Sequence, residues 1–138
     1  MEQFIKVKSP KMVEIFETPL LSCWFGDDGI LYSESKVAER SMENYQLLFE
    51  LYKTLSDNGN KKLRTLGNIT KTQHSKKEVR EYIAKELPKY IKAMALVSDS
   101  SMGKMIGNVF IKLNPPPYPV RFFNNSESAV KWLKNINT

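Results

Sequence analysis

Between Ile91 and Trp132 the chain runs through an apolar strand, a helical stripe, a proline cluster, a second short strand and a second helical stripe, with almost no slack. Ile91–Val97 is apolar at nearly every position, as a strand covered on both faces must be, which predicts the central strand of the sheet. Met102, Met105, Ile106, Val109, Phe110 and Leu113 then recur at steps of three and four, the period of a helix with one buried face. Pro115-Pro-Pro-Tyr-Pro119 stops that helix, because proline carries no N–H donor and clashes with the preceding turn. Val120–Phe123 resumes strand chemistry, and a helix from Ser126 places Ala129, Val130, Leu133 and Ile136 inward. Strands alternating with helices in this way predict parallel pairing through helical crossovers, hence a layered α/β fold.

The earlier part of the chain fits the same plan. Leu20–Phe25 and Gly29–Glu34 are rich in strand formers and flank Gly26-Asp-Asp-Gly29, a sequence suited to a hairpin turn. Ser41 is placed to cap a helix running to about Ser56, with Met42, Tyr45, Leu48, Phe49, Tyr52 and Leu55 on one face, and Asp57-Asn-Gly-Asn60 ends it. Lys62–Gly67 supplies the next strand, and Asn68 to His74 a loop. Ser75-Lys-Lys-Glu78 matches a capping box and predicts a helix starting at Ser75, with Val79, Tyr82, Ile83 and Leu87 inward and Pro88 at its end. The expectation is a mixed, mostly parallel sheet of about five strands with a leading β-hairpin and about four helices.

With 138 residues, of which 41% are hydrophobic and 26% charged, the chain is the size of one folded domain, with residues 1–12 as an arm or edge strand. No apolar run approaches the roughly 20 residues a membrane helix needs. The start lacks the long apolar core of a signal peptide, and the lone Cys23 forms no internal disulfide, so a reducing cytoplasm is the expected compartment.

Charge is divided unevenly. Residues 1–60 carry six Lys/Arg against ten Asp/Glu, whereas residues 61–138 carry fifteen against five, giving +6 overall. Such a balance permits phosphate, nucleic acid or an acidic partner. The lysines are spread over several elements and the aromatics sit at core periodicity, so nucleic acid is not indicated.

Six segments carry a family resemblance: Phe25-Gly-Asp-Asp-Gly-Ile-Leu31, Ser75-Lys-Lys-Glu-Val-Arg80, Ala93-Met-Ala-Leu-Val97, Gly107-Asn-Val-Phe110, Leu113-Asn-Pro-Pro-Pro-Tyr-Pro119 and Ser128-Ala-Val-Lys-Trp-Leu133. Together they resemble the small uncharacterised bacterial proteins classed as STAS/CRAL-TRIO-like, akin to the anti-sigma-factor antagonists. The likeness covers roughly residues 13 to 136 and implies a STAS-like α/β sandwich in the cytoplasm, with no established activity. In the phosphorylated antagonists a serine opening the helix after the third strand is the switch, and the matching position here is Ser75, beside Thr72 and His74. Leu66–Ser75 departs from that pattern by lacking the Asp-Ser pair, and an N-cap role alone accounts for Ser75. If phosphorylated, Ser75 would have Lys76, Lys77 and the helix dipole to stabilise the added charge.

No residue set points to catalysis, and neither a metal nor a cofactor is implied. His74 is the only histidine, no G-x-S-x-G elbow is present, and Cys23 has no basic neighbour to activate it. Asp27 and Asp28 are paired carboxylates whose ordinary home is a hairpin tip. Gly103-Lys104 lacks the earlier glycine and the hydroxyl residue of a phosphate loop. One anion site is chemically reasonable: Ser98, Ser100 and Ser101, where a strand end meets a helix N-terminus, with Lys104 one turn on. Capping explains the same serines. Met94, Met102, Met105 and Phe110 are suited to lining an adaptable apolar pocket or to plain core packing.

The leading expectation is a non-enzymatic STAS-like regulatory or interaction module that binds a protein partner or itself. The alternative is a carrier or sensor of a small apolar or anionic, lipid-like ligand.

Overall fold

The computed structural model describes residues 13–68, 76–98, 105, 108, 112 and 115–136. Six strands form one sheet in the order in which they occur along the chain: β1 (Phe16–Glu17), β2 (Leu21–Phe25), β3 (Leu31–Ser35), β4 (Leu63–Asn68), β5 (Ile91–Val97) and β6 (Val120–Phe123). β1, β2 and β3 pair antiparallel, and β3 through β6 pair parallel. Three α-helices are described along their length: α1 (Met42–Leu55), α2 (Lys77–Glu86) and α3 (Ser126–Asn135). Met105, Asn108 and Lys112 are also helical, between β5 and β6. Among the described residues no helix is long and apolar enough to cross a membrane. The α/β class and the leading hairpin are as expected. The additional strand is β1, and Ile91–Val97 lies one strand in from the edge and not at the centre.

Local chemistry sets these elements. At the β2–β3 turn the Gly26 N–H donates to Ile30 O at 3.0 Å, and Asp28 Oδ1 accepts the Ile30 N–H at 3.0 Å. Gly29 sits at φ +79°, a conformation that favours glycine. Before it, Thr18 Oγ1 accepts from the N–H groups of Leu20 and Leu21, and this hydroxyl turn feeds β1 into β2. Ser41 caps α1 as expected, accepting from Asn44 N at 3.2 Å. Asp57, Asn58 and Gly59 all take positive φ and end the helix, and a Cβ on Gly59 would stand 2.7 Å from Lys89 O.

The start of α2 departs from expectation. Its N-cap is Lys76, whose side chain makes no capping bond, and Ser75 lies outside the described residues. The cap thus falls one residue later than the capping box places it, and Glu78 supplies negative charge to the first turn.

Two cores lie on opposite faces of the sheet. The first joins Leu20, Cys23, Leu31, Leu63 and Ile91 to Leu48, Phe49 and Tyr52 of α1, with Tyr82 and Ile83 of α2 packed against it. The second joins Ile30, Leu66, Ala93, Ala95 and Phe123 to Ala129 and Leu133 of α3. Ile91 and Ala93 are two residues apart and would share a face of a regular strand. An irregularity opposite Leu63/Arg64 leaves Lys92 as an extra residue, so Ile91 turns to the first core and Ala93 to the second.

Because successive parallel strands always step the same way across the sheet, crossovers of one hand lie on one face, and α1 and α2 do. α3 follows the last strand and covers the other face. Asn125 caps it by accepting from Ser128 N at 2.8 Å, and Arg64 Nη2 reaches across from β4 to donate to Ile136 O at 3.2 Å beyond its C-terminal end.

Candidate functional site

The carboxyl ends of β3 to β6 form a rim of polar residues. Ser33 Oγ donates to Leu66 O at 3.3 Å and Ser35 Oγ to Asn68 O at 2.8 Å, so both hydroxyls are used by the neighbouring strand. Ser98 is buried, and its N–H donates to Phe123 O at 2.8 Å, extending the β5–β6 ladder by one step. The order of β3 to β6 never reverses, so this rim has no topological switch point of the kind that opens a crevice in doubly wound sheets. Of the residues singled out for an anion, Ser98 is thus a sheet-end residue, while Ser100, Ser101 and Lys104 lie outside the described residues. So do Ser75, Thr72 and His74.

Other sequence candidates have structural roles. Asp28 Oδ2 accepts from Tyr32 Oη at 2.7 Å, and this bond, together with burial as the larger cause, pushes the Tyr32 phenol well above its usual range. Cys23 is fully buried, and burial pushes its thiol up to about 12, with the Glu17 charge adding to the effect. That thiol stays protonated at neutral pH and is no nucleophile. Among the described residues no cluster of His, Cys, Asp and Glu suits a metal ion. Met94 packs half-buried against the first core, but Met105 is 60% exposed, which corrects its expected inward position and removes it from any apolar pocket.

A site that the sequence reading missed lies on the outer flank of the sheet. Arg121 and Phe123 of β6, with Ser128, Lys131, Trp132 and Asn135 of α3 and Ile136 just beyond it, line a groove of about 520 Å³. Phe123 forms its buried floor, and the Trp132 ring meets it at 5.6 Å and 52°. The Arg121 guanidinium stands 5.4 Å from the Phe123 ring centroid, a cation–π contact that orients an otherwise exposed side chain. Lys131 is exposed beside it. Among the described residues no carboxylate lines the groove and neither cation is ion-paired. The helical signal was present: Ser128, Lys131, Trp132 and Asn135 recur at steps of three and four, next to the buried Ala129–Leu133 stripe.

The backbone edge beside this groove is occupied at Phe122. Pro119 O and Phe123 O accept from Met94 N and Ser98 N, so the N–H and C=O groups of Val120 and Phe122 point away from the sheet. The Asn108 carboxamide pairs with both groups of Phe122, accepting from its N–H at 2.9 Å and donating to its C=O at 3.1 Å. This reciprocal pair imitates the contact of another strand.

Comparison with known proteins identifies the architecture. The family profile described as a domain of unknown function, DUF7793, matches residues 23–137. The crystal structure of an uncharacterized DUF3478-family protein with a SpoIIAA-like fold, from Shewanella loihica PV-4, superposes with a TM-score of 0.62 at 16% identity, covering 91% of this chain and 98% of that one. A protein of unknown function from Arthrobacter sp. FB24 aligns at 21% identity over 83% of this chain and 99% of its own, with a TM-score of 0.29. No curated protein matches. The fold is therefore SpoIIAA-like, the STAS-type sandwich that the sequence resemblance implies.

Proposed function

The chain belongs to the DUF7793 family, and for it we propose a non-enzymatic, STAS-like interaction module that binds a protein partner or a second copy of itself through the flank between β6 and α3. The observation that carries this reading is the groove itself: an exposed arginine and an exposed lysine stand around a half-buried tryptophan on a buried aromatic floor. Arginine and tryptophan are the residue types that dominate binding energy at protein interfaces. The groove is mainly framed by a helix anchored at both ends, so its side chains are held in place before a partner arrives.

The described serines of the carboxyl-end rim are consistent with the same reading, since the Ser33 and Ser35 hydroxyls and the Ser98 N–H bond neighbouring strands. The test is an Arg121→Glu/Lys131→Glu double variant expressed in the native host and compared with wild type by in-cell crosslinking and native mass spectrometry. The module reading expects wild type in a defined complex or dimer, with loss of that species in the variant at an unchanged melting temperature. A complex that persists undiminished in the folded variant contradicts it.

A further inference from the structure

We infer that the occupant of the β6–α3 groove is an acidic peptide segment of a protein partner carrying one large apolar side chain, and that it is held through side chains and not as an added strand. The inference rests on the interaction-module reading and names the partner chemistry of the same flank. Arg121 and Lys131 place two positive charges at a groove with no carboxylate in its described lining, so a negatively charged segment is attracted and a basic one repelled. Between those charges the exposed part of Trp132, backed by the buried Phe123 ring, offers apolar area to one anchoring side chain.

Single-stranded nucleic acid fits less well. Base stacking needs free aromatic faces, and here Phe123 is buried while Trp132 is tilted against it. Strand addition at the β6 edge is closed at Phe122, whose outward N–H and C=O are both taken by Asn108. The guanidinium of Arg121 is oriented by the Phe123 ring, ready for bidentate contact with a carboxylate.

The test uses the full chain and four probes: a fluorescent Glu-rich peptide containing one Trp, the same peptide with Gln for every Glu, the same peptide with Ala for Trp, and oligo-dT. Saturable binding is expected for the first alone, weakening as salt is raised, and dropping about tenfold or more with Arg121→Glu or with Lys131→Glu. Asn108→Ala reports the binding mode: affinity for the acidic peptide is expected to stay within about twofold, because the backbone edge takes no part.

Three results overturn the inference: no saturable binding of the Glu/Trp peptide, equal binding by the charge-reversed variants, or tighter binding of oligo-dT. A gain in affinity on Asn108→Ala, with new amide-exchange protection at Val120 and Phe122, overturns the side-chain mode. A cellular complex that requires the flank while the acidic peptides fail to bind would leave the module reading standing and remove only the acidic partner.

Discussion

The two faces of the sheet are built from different materials. The face under α1 and α2 is filled with large side chains, among them Phe49 and Tyr52 of α1, and the Phe49–Tyr82 ring contact at 5.6 Å ties the two helices together. The face under α3 relies on Ala93, Ala95 and Ala129, all fully buried, with Leu133 and Phe123 around them. Small residues let α3 lie close to the strands, while large ones hold α1 and α2 off the sheet and supply most of the apolar burial. The consequence is a division of labour: the aromatic face contributes stability, and the alanine face sets a helix beside an edge strand so that its flank presents Arg121, Lys131 and Trp132.

The contrast is open to test, starting with its largest effect. Phe49→Ala removes a buried ring shared by both helices and is expected to cost about 3–5 kcal/mol in denaturant unfolding; a cost below about 1 kcal/mol would deny the aromatic face its role. Ala129→Leu overfills the close contact and is expected to cost about 1–3 kcal/mol and to shift α3, so that Trp132 fluorescence changes as well. Neutral behaviour there would mean that α3 is not closely seated.

The smallest effect lies at the β1–β2 margin. Hydrogen bonding from Lys36 at 2.7 Å is the largest cause holding the Glu17 carboxyl below its usual range, with Ser22 adding to it against some desolvation. A carboxyl lowered in the folded state contributes stability above its unfolded value of 4.5, and that contribution disappears as pH falls through the folded value. Both side chains are substantially exposed, so Lys36→Ala is expected to cost well under about 1 kcal/mol at neutral pH and to flatten the acid limb slightly. Urea melts at neutral pH and at about pH 3 check this.

Local signals made much of the fold legible. The Gly26–Gly29 turn, the Ser41 cap with its helical stripe and the helix from Ser126 each depend on neighbours within a few residues. Non-local features were hidden. β1 is only two residues long and exists because the Thr18 turn folds it onto Cys23 and Ser22. The irregularity at Lys92, which decides that Ala93 faces α3, is a matter of pairing with β4 and leaves no mark in an apolar run. Lys76, with extended backbone and no side-chain capping bond, takes the N-cap position that the capping box assigns to the serine before it. The groove escaped notice because Arg121 and Lys131 belong to different elements and meet only once α3 crosses to the second face. Trp132 read simply as the end of a helical pattern, although its stripe with Ser128, Lys131 and Asn135 was there to be counted.

The most direct measurement places a photoreactive phenylalanine analogue, p-benzoylphenylalanine, in the native host at one of two exposed sites: at Ser128 in the groove, or at Leu47 on α1. The account predicts a discrete protein adduct, to a partner or a second copy, from position 128 and none of comparable yield from position 47. Adducts of equal yield from both positions, or from position 47 alone, would contradict the claim that the β6–α3 flank is the binding surface.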